Sequence, residues 1–89
     1  MKRIELDISC IESVGALHIY LAYMLDLPAH YGRNLDALYD VLSTESDAAH
    51  IVLRGQAKAG SAVEAYLPGL IAVLEESAQE NEKIRFERA

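Results

Sequence analysis

Two segments at opposite ends of this chain alternate apolar and charged residues one by one, and nearly all the apolar residues between them follow a different period. Near the N-terminus Ile4, Leu6 and Ile8 alternate with Arg3, Glu5 and Asp7. A period of two fits a strand with one buried face, so residues 2–8 are predicted as the first strand. At the other end Ile84 and Phe86 alternate with Lys83, Arg85 and Glu87, which predicts a last strand. Between them Ile51-Val52-Leu53 is a short continuous apolar run that stops at Gly55, the pattern of a central strand. Both connections between these strands are long and helical in pattern. Parallel neighbours need such crossovers, whereas antiparallel ones can be joined by a two-residue turn. The predicted fold class is therefore α/β: a three-stranded parallel sheet with right-handed helical crossovers. Because the outer strands alternate in polarity, the helices are expected mainly on one face.

The crossovers divide into helices by their caps. Ser13 is a plausible N-cap, after which Val14, Leu17, Leu21, Met24 and Leu25 fall at helical spacing until Pro28 ends the run. A linker, Pro28-Ala29-His30-Tyr31-Gly32-Arg33, leads to Asn34, a good N-cap for a second helix of about ten residues. Its inner face is Leu35, Leu38, Val41 and Leu42, and residues 43–47 read as a loop. Residues 56–66 are Ala-rich and helix-compatible. Pro68, tolerated at a first helical position, is predicted to restart a helix through Leu70, Ile71, Val73, Leu74 and Ala78 that ends near Glu80.

Composition narrows the function classes. With 89 residues, 52% of them apolar, and only 2 Pro and 5 Gly, the chain reads as one folded domain over residues 1–89, too small for a separate cofactor domain. A net charge of −6 repels polyanions, which argues against direct nucleic-acid binding and favours basic partners. The single Cys10 permits neither an internal disulfide nor a multi-Cys metal site, as in a reducing compartment, and is read as a small buried hydrophobe. No targeting segment and no run near the ~18 apolar residues of a membrane span is present. A soluble cytoplasmic protein is expected.

The second helix carries the most unusual charge pattern. Asp36, Tyr39, Asp40 and Ser43 fall at i, i+3, i+4 and i+7, opposite the apolar face. Carboxylates at i and i+4 repel by ~0.2–0.5 kcal/mol, and only Asp36, in the first turn, gains from the helix macrodipole. Glu45 and Asp47 extend the acidity, and no basic residue stands between Asn34 and Ala49. One reading is an ordinary solvated face; the sharper one is a docking face for a cationic partner, with an aromatic between two acids. A catalytic carboxylate dyad needs a pocket that separates two pKa values, which adjacent turns of an exposed helix do not supply, so no catalytic residue is assigned. His18 reads as packed within the first helix, and His50 sits at a strand start. Pro28 between Asp26 and His30 breaks helical ligand geometry, so no metal site is expected. The glycines at 15, 32, 55, 60 and 69 form no dinucleotide or phosphate-loop fingerprint, and no cofactor is expected. A second acidic cluster, Glu75, Glu76, Glu80 and Glu82, opposes the macrodipole at the end of the last helix.

The run Leu27-Pro28-Ala29-His30-Tyr31-Gly32-Arg33-Asn34-Leu35-Asp36-Ala37-Leu38-Tyr39-Asp40 resembles the signature of the barstar family. The likeness extends over the whole chain, through the N-terminal strand, the Leu17-His18 pair, the Ile51-Val52-Leu53 strand and the terminal strand. It implies an intracellular, non-enzymatic inhibitor that plugs the basic active site of a small ribonuclease with this helix and linker, its carboxylates standing where RNA phosphates would. On that resemblance Asp40 matches the dominant acidic contact and Asp36 a neighbouring one. Tyr39 takes the aromatic position, usually tryptophan, and His30 that of a contacting tyrosine. Asn34, Leu35 and Thr44 match further contact positions, and Glu76 an acidic contact on the last helix. The family's best-known member is acidic at the position of Arg33 and aromatic at that of Glu45, differences that bear on which ribonuclease is the target. The toxin half of a toxin and immunity pair is one candidate partner. With His30 in the contact, binding is expected to vary with pH in the imidazole range, about 6 to 7. The free protein is expected to be monomeric. The alternative expectation is an acidic adaptor that binds some other basic protein.

Overall fold

A computed structural model describes residues 2–89. Along the chain run β1 (Lys2–Asp7), α1 (Val14–Met24), α2 (Leu35–Ser43), β2 (Ala49–Arg54), α3 (Ala62–Glu80) and β3 (Ile84–Arg88). The strands form one sheet in the order β1-β2-β3, with both pairs parallel and the apolar run in the centre as its pattern predicts. In register, Ile4 stands beside Ile51 and Ile51 beside Phe86, while Leu6 pairs with Leu53. That register places the alternating apolar residues of all three strands on one face.

The helices cover that same face. Leu17 and Leu21 of α1, Leu38 and Leu42 of α2, and Leu70 and Leu74 of α3 join Ile4, Leu6, Ile51, Leu53 and Ile84 in one buried cluster. The other face is open and charged. Glu5 lies 3.4 Å from Arg54 and 3.9 Å from Arg3, and His50 lies 2.6 Å from Glu87. Val52 sits among them with Glu5 and Glu87 as its neighbours in register, yet it is only 1% exposed. Long charged side chains that lay their stems across an apolar residue account for that burial. Helices on one face and a mixed-charge sheet on the other match the alternation read from the outer strands.

Four expectations need correction. Residues 56–60 are not helical, and α3 does not restart at Pro68 but runs through it from Ser61. Ser61 accepts from the Glu64 N–H at 3.1 Å, and the Glu64 carboxylate accepts from the Gly60 N–H at 2.9 Å. These caps start the helix six residues before Pro68, at Ala62, and continuity through Pro68 keeps Val63, Leu70 and Leu74 all buried. Cys10 is exposed rather than buried. It lies in a turn closed by the Ile11 N–H to the Ile8 carbonyl at 3.2 Å, so the inward alternation ends at Ile8. Strand β1 likewise stops at Asp7, although the Ile8 N–H still donates to Arg54 O.

Candidate protein-binding face

The linker between α1 and α2 is held from below by a buried polar chain. The Tyr31 N–H donates to Pro28 O at 2.9 Å, which turns the Tyr31 ring inward and leaves its predecessor His30 exposed. The Tyr31 hydroxyl meets His18 Nδ1 at 2.7 Å, and His18 Nε2 meets the Tyr66 hydroxyl at 2.7 Å. Tyr31 also donates to the Asn34 carbonyl at 3.4 Å. One proton arrangement serves every group: Tyr66 donates to Nε2, Nδ1–H donates to Tyr31, and Tyr31 donates to Asn34. Burial favours the neutral forms throughout. It lowers the His18 pKa, and it raises Tyr66 and lifts Tyr31 to about 12, with Tyr66 adding to the rise at Tyr31.

Helix α2 begins where this tether ends. Asn34 adopts an extended backbone, its Oδ1 accepts from the Ala37 N–H at 2.7 Å, and its Nδ2 donates to Gly32 O at 3.2 Å. The preceding Arg33 has φ of 55°, a left-handed turn that reverses the chain into the helix. Leu38 and Leu42 are buried, whereas Leu35 and Val41 of the predicted inner face are half-buried at its margins. Leu35 lies over α3 so closely that a Cβ on Gly69 would stand 2.9 Å from its Cδ1. At the other end Asn81 Nδ2 donates to Leu42 O at 2.9 Å and Glu45 O at 2.8 Å. The helix is thus fixed to α3 at both termini.

This clamping sets which side chains point outward. Asp36 and Asp40 are exposed and Tyr39 is half-buried between them. Thr44 caps the end, its hydroxyl donating to Asp40 O at 2.8 Å. His30 and Asn34 are exposed at the helix entrance. Seven of the eight residues singled out from sequence therefore lie on one continuous segment of linker and helix. The eighth, Glu76, is an exposed residue of α3. Seven positions after Gly69, it is rotated only about 20° from the side of α3 that meets α2. Among the described residues none of Asp36, Asp40 and Glu76 has an ion-pair partner, because all three ion pairs lie on the open face of the sheet. The α2 side therefore carries uncompensated negative charge. The polar chain through His18, Tyr31 and Tyr66 was not foreseen as part of this site; its members are 13 and 48 residues apart, and only the apolar neighbours of His18 hinted at its burial.

No helix among the described residues is long and apolar enough to cross a membrane. They also hold no cluster of three potential metal ligands. A profile of the family described as Barstar (barnase inhibitor) matches residues 1–88. The chain is also 35% identical over 81 residues to a Bacillus subtilis (strain 168) protein that bears the name "Putative ribonuclease inhibitor YrdF", an overlap covering 90% of this chain and 89% of the relative. Matched over nearly its whole length, and with a parallel three-stranded α/β fold, the chain belongs to the barstar family.

Proposed function

We propose that this protein inhibits a small basic ribonuclease by inserting the linker and α2 into the enzyme's active site. The observation that carries the reading is the exposed, unpaired carboxylate pair Asp36 and Asp40 on a helix fixed at both ends. A rigid acidic helix matches a cleft built to hold RNA phosphates, and it needs little ordering on binding. In this reading Asp40 pairs with the active-site cations, Asp36 with a neighbouring one, and Tyr39 packs between them. His30, Asn34, Leu35 and Thr44 form the surrounding contact, and Glu76 adds an acid from α3. The protein itself performs no chemistry. An immunity role toward a co-encoded ribonuclease toxin, in the cytoplasm, fits this mode of action. The family and the name of the Bacillus subtilis relative support ribonuclease inhibition.

The test is cleavage of a fluorogenic RNA by a panel of small basic bacterial ribonucleases. Stoichiometric inhibition by the wild-type protein is expected, with Asp40→Ala weakened by at least ~2 kcal/mol, a factor of about 30 in Kd. Inhibition of a ribonuclease that is indifferent to Asp40→Ala and Asp36→Ala would move the contact off this helix. Capture of a basic protein other than a ribonuclease would establish the adaptor role instead.

A further inference from the structure

A cavity of about 290 Å³ opens at the end of the molecule where all three strands begin. Its floor is the core itself, through residues such as Ile4, Leu25 and Ile84. Among the described residues its lining carries the carboxylates Asp26, Glu45 and Asp47 against one ammonium, that of Lys2. The backbone adds to this imbalance. In a parallel sheet the crossover helices return to the strand starts, so α1 and α2 both end at the wall of this cavity, at Leu25-Asp26 and at Leu42 to Glu45. Neither helix has a basic residue in its last turn; the end of α2 is met by Asn81 Nδ2, which donates to Leu42 O and Glu45 O, whereas the negative pole of the α1 macrodipole, about half a charge, has no cationic side chain of its own helix beside it. Glu45 Oε1 accepts from the Ser46 and Asp47 N–H groups, which orients the carboxylate while leaving Oε2 unbonded among the described residues.

We infer that this cavity receives the side chain of an arginine from the bound ribonuclease, at a contact separate from the active-site plug. The inference rests on the function proposed above. An apolar floor accepts the methylene stem, and the lining carboxylates Asp26, Glu45 and Asp47 accept the guanidinium. Arginine suits this better than lysine: a guanidinium is planar, more weakly hydrated and offers five donors, whereas an ammonium is compact and strongly hydrated. The cavity is also continuous with the proposed contact, since Glu45 directly follows Thr44 and Leu42 belongs to α2.

Two measurements test this. Methyl NMR of the wild-type protein is recorded during titration with N-butylguanidinium, and separately with the neutral N-butylurea. Saturable shifts of the Ile4, Leu25 and Ile84 methyls at millimolar butylguanidinium are expected, absent with butylurea and absent in the double variant Glu45→Gln/Asp47→Asn. Glutamine keeps the acceptor for the two loop N–H groups, and the folded state of the variant is checked by circular dichroism. Against a ribonuclease that the wild type inhibits, the double variant is expected to bind about tenfold more weakly. One arginine-to-alanine change in the ribonuclease should reproduce that loss without adding to it. No methyl shift, or equal shifts with butylurea, overturns the cation site. Methyl shifts with an unchanged ribonuclease Kd in the double variant overturn the assignment of a partner arginine. A failure of the underlying reading looks different: no ribonuclease is inhibited at all, which removes the arginine too while leaving the methyl response intact.

Discussion

Replacing His18 with leucine removes the middle of the buried chain that tethers the linker, and the size of the effect follows from its surroundings. Leucine has nearly the volume of histidine, so little cavity is created. What disappears is a pair of 2.7 Å hydrogen bonds, to Tyr31 and to Tyr66. A hydrogen bond contributes ~1 kcal/mol net when both partners can return to water, and a buried group left unpaired costs ~1–3 kcal/mol. Tyr66 is half-buried and can rehydrate, but Tyr31 is 8% exposed and keeps only its 3.4 Å contact with Asn34 O. The expected loss is about 2–3 kcal/mol, or roughly 10–20 °C in Tm for a chain of this length. Urea unfolding followed by circular dichroism at pH 8 measures it.

The same variant carries a pH signature that simple loss of packing lacks. Burial lowers the folded-state pKa of His18 below its ordinary 6.5, so the unfolded chain binds a proton there more readily than the folded one. This contribution to stability is complete above pH 6.5 and is lost as pH falls from 6.5 towards the lowered folded value. Leucine has no such term, so the gap between wild type and His18→Leu should narrow as pH drops from 8 to 5. Ribonuclease affinity should also fall several-fold although His18 is buried, because Tyr31 positions His30 and Asn34. A gap that stays constant from pH 8 to 5, or a loss below ~0.5 kcal/mol at pH 8, refutes the tether.

Three further outcomes follow from single contacts. Ser77 Oγ is fully buried with no hydrogen-bond partner among the described residues, so Ser77→Ala should be neutral or stabilising by up to ~1 kcal/mol in urea unfolding. Gly55 has φ of +87°, and a Cβ there would collide with the Ser9 and Asp7 side chains, so Gly55→Ala should destabilise by ~2 kcal/mol or more by the same assay. Asn81→Ala unclamps the end of α2 from α3 and should cost ~1–2 kcal/mol, with amide exchange accelerating at the C-terminal turn of α2 before it does in the strands.

The strands were legible because their pattern is local: each alternation or apolar run spans no more than about one strand and reports directly which of its residues are buried. The same holds for the caps, since Ser13 and Asn34 each bond an N–H three residues on. Pro68 misled because its propensity is also local, whereas the continuity of α3 is decided by burial of Val63 on one side of it and Leu70 and Leu74 on the other. Cys10 misled because nothing in a period of two announces where the chain turns. The acids of α2 were legible as a face, by helical spacing. That they are uncompensated was not, because it depends on where Arg3 and Arg54 fold, and both lie on the far side of the sheet with Glu5. The His18 chain joins residues that no period relates.

That distribution of charge gives the fold a direction. The strands hold Lys2, Arg3, Arg54, Arg85 and Arg88, and the ion pairs hold two of these arginines on the open face of the sheet. Arg33, exposed beside the start of α2, is the nearest cation in sequence to the acidic helix, and its left-handed backbone belongs to the turn rather than the helix. Asp36 and Asp40 are left to repel each other by ~0.2–0.5 kcal/mol, a small penalty against the ~1 kcal/mol of the Asn34 cap and the burial of Leu38 and Leu42. Because the stabilising groups all sit on the inner side and at the ends of α2, the outer side is free to be chosen for its field alone. A helix built this way can present unpaired carboxylates rigidly, and a rigid field is the kind that both steers a cationic partner from a distance and loses little entropy on contact.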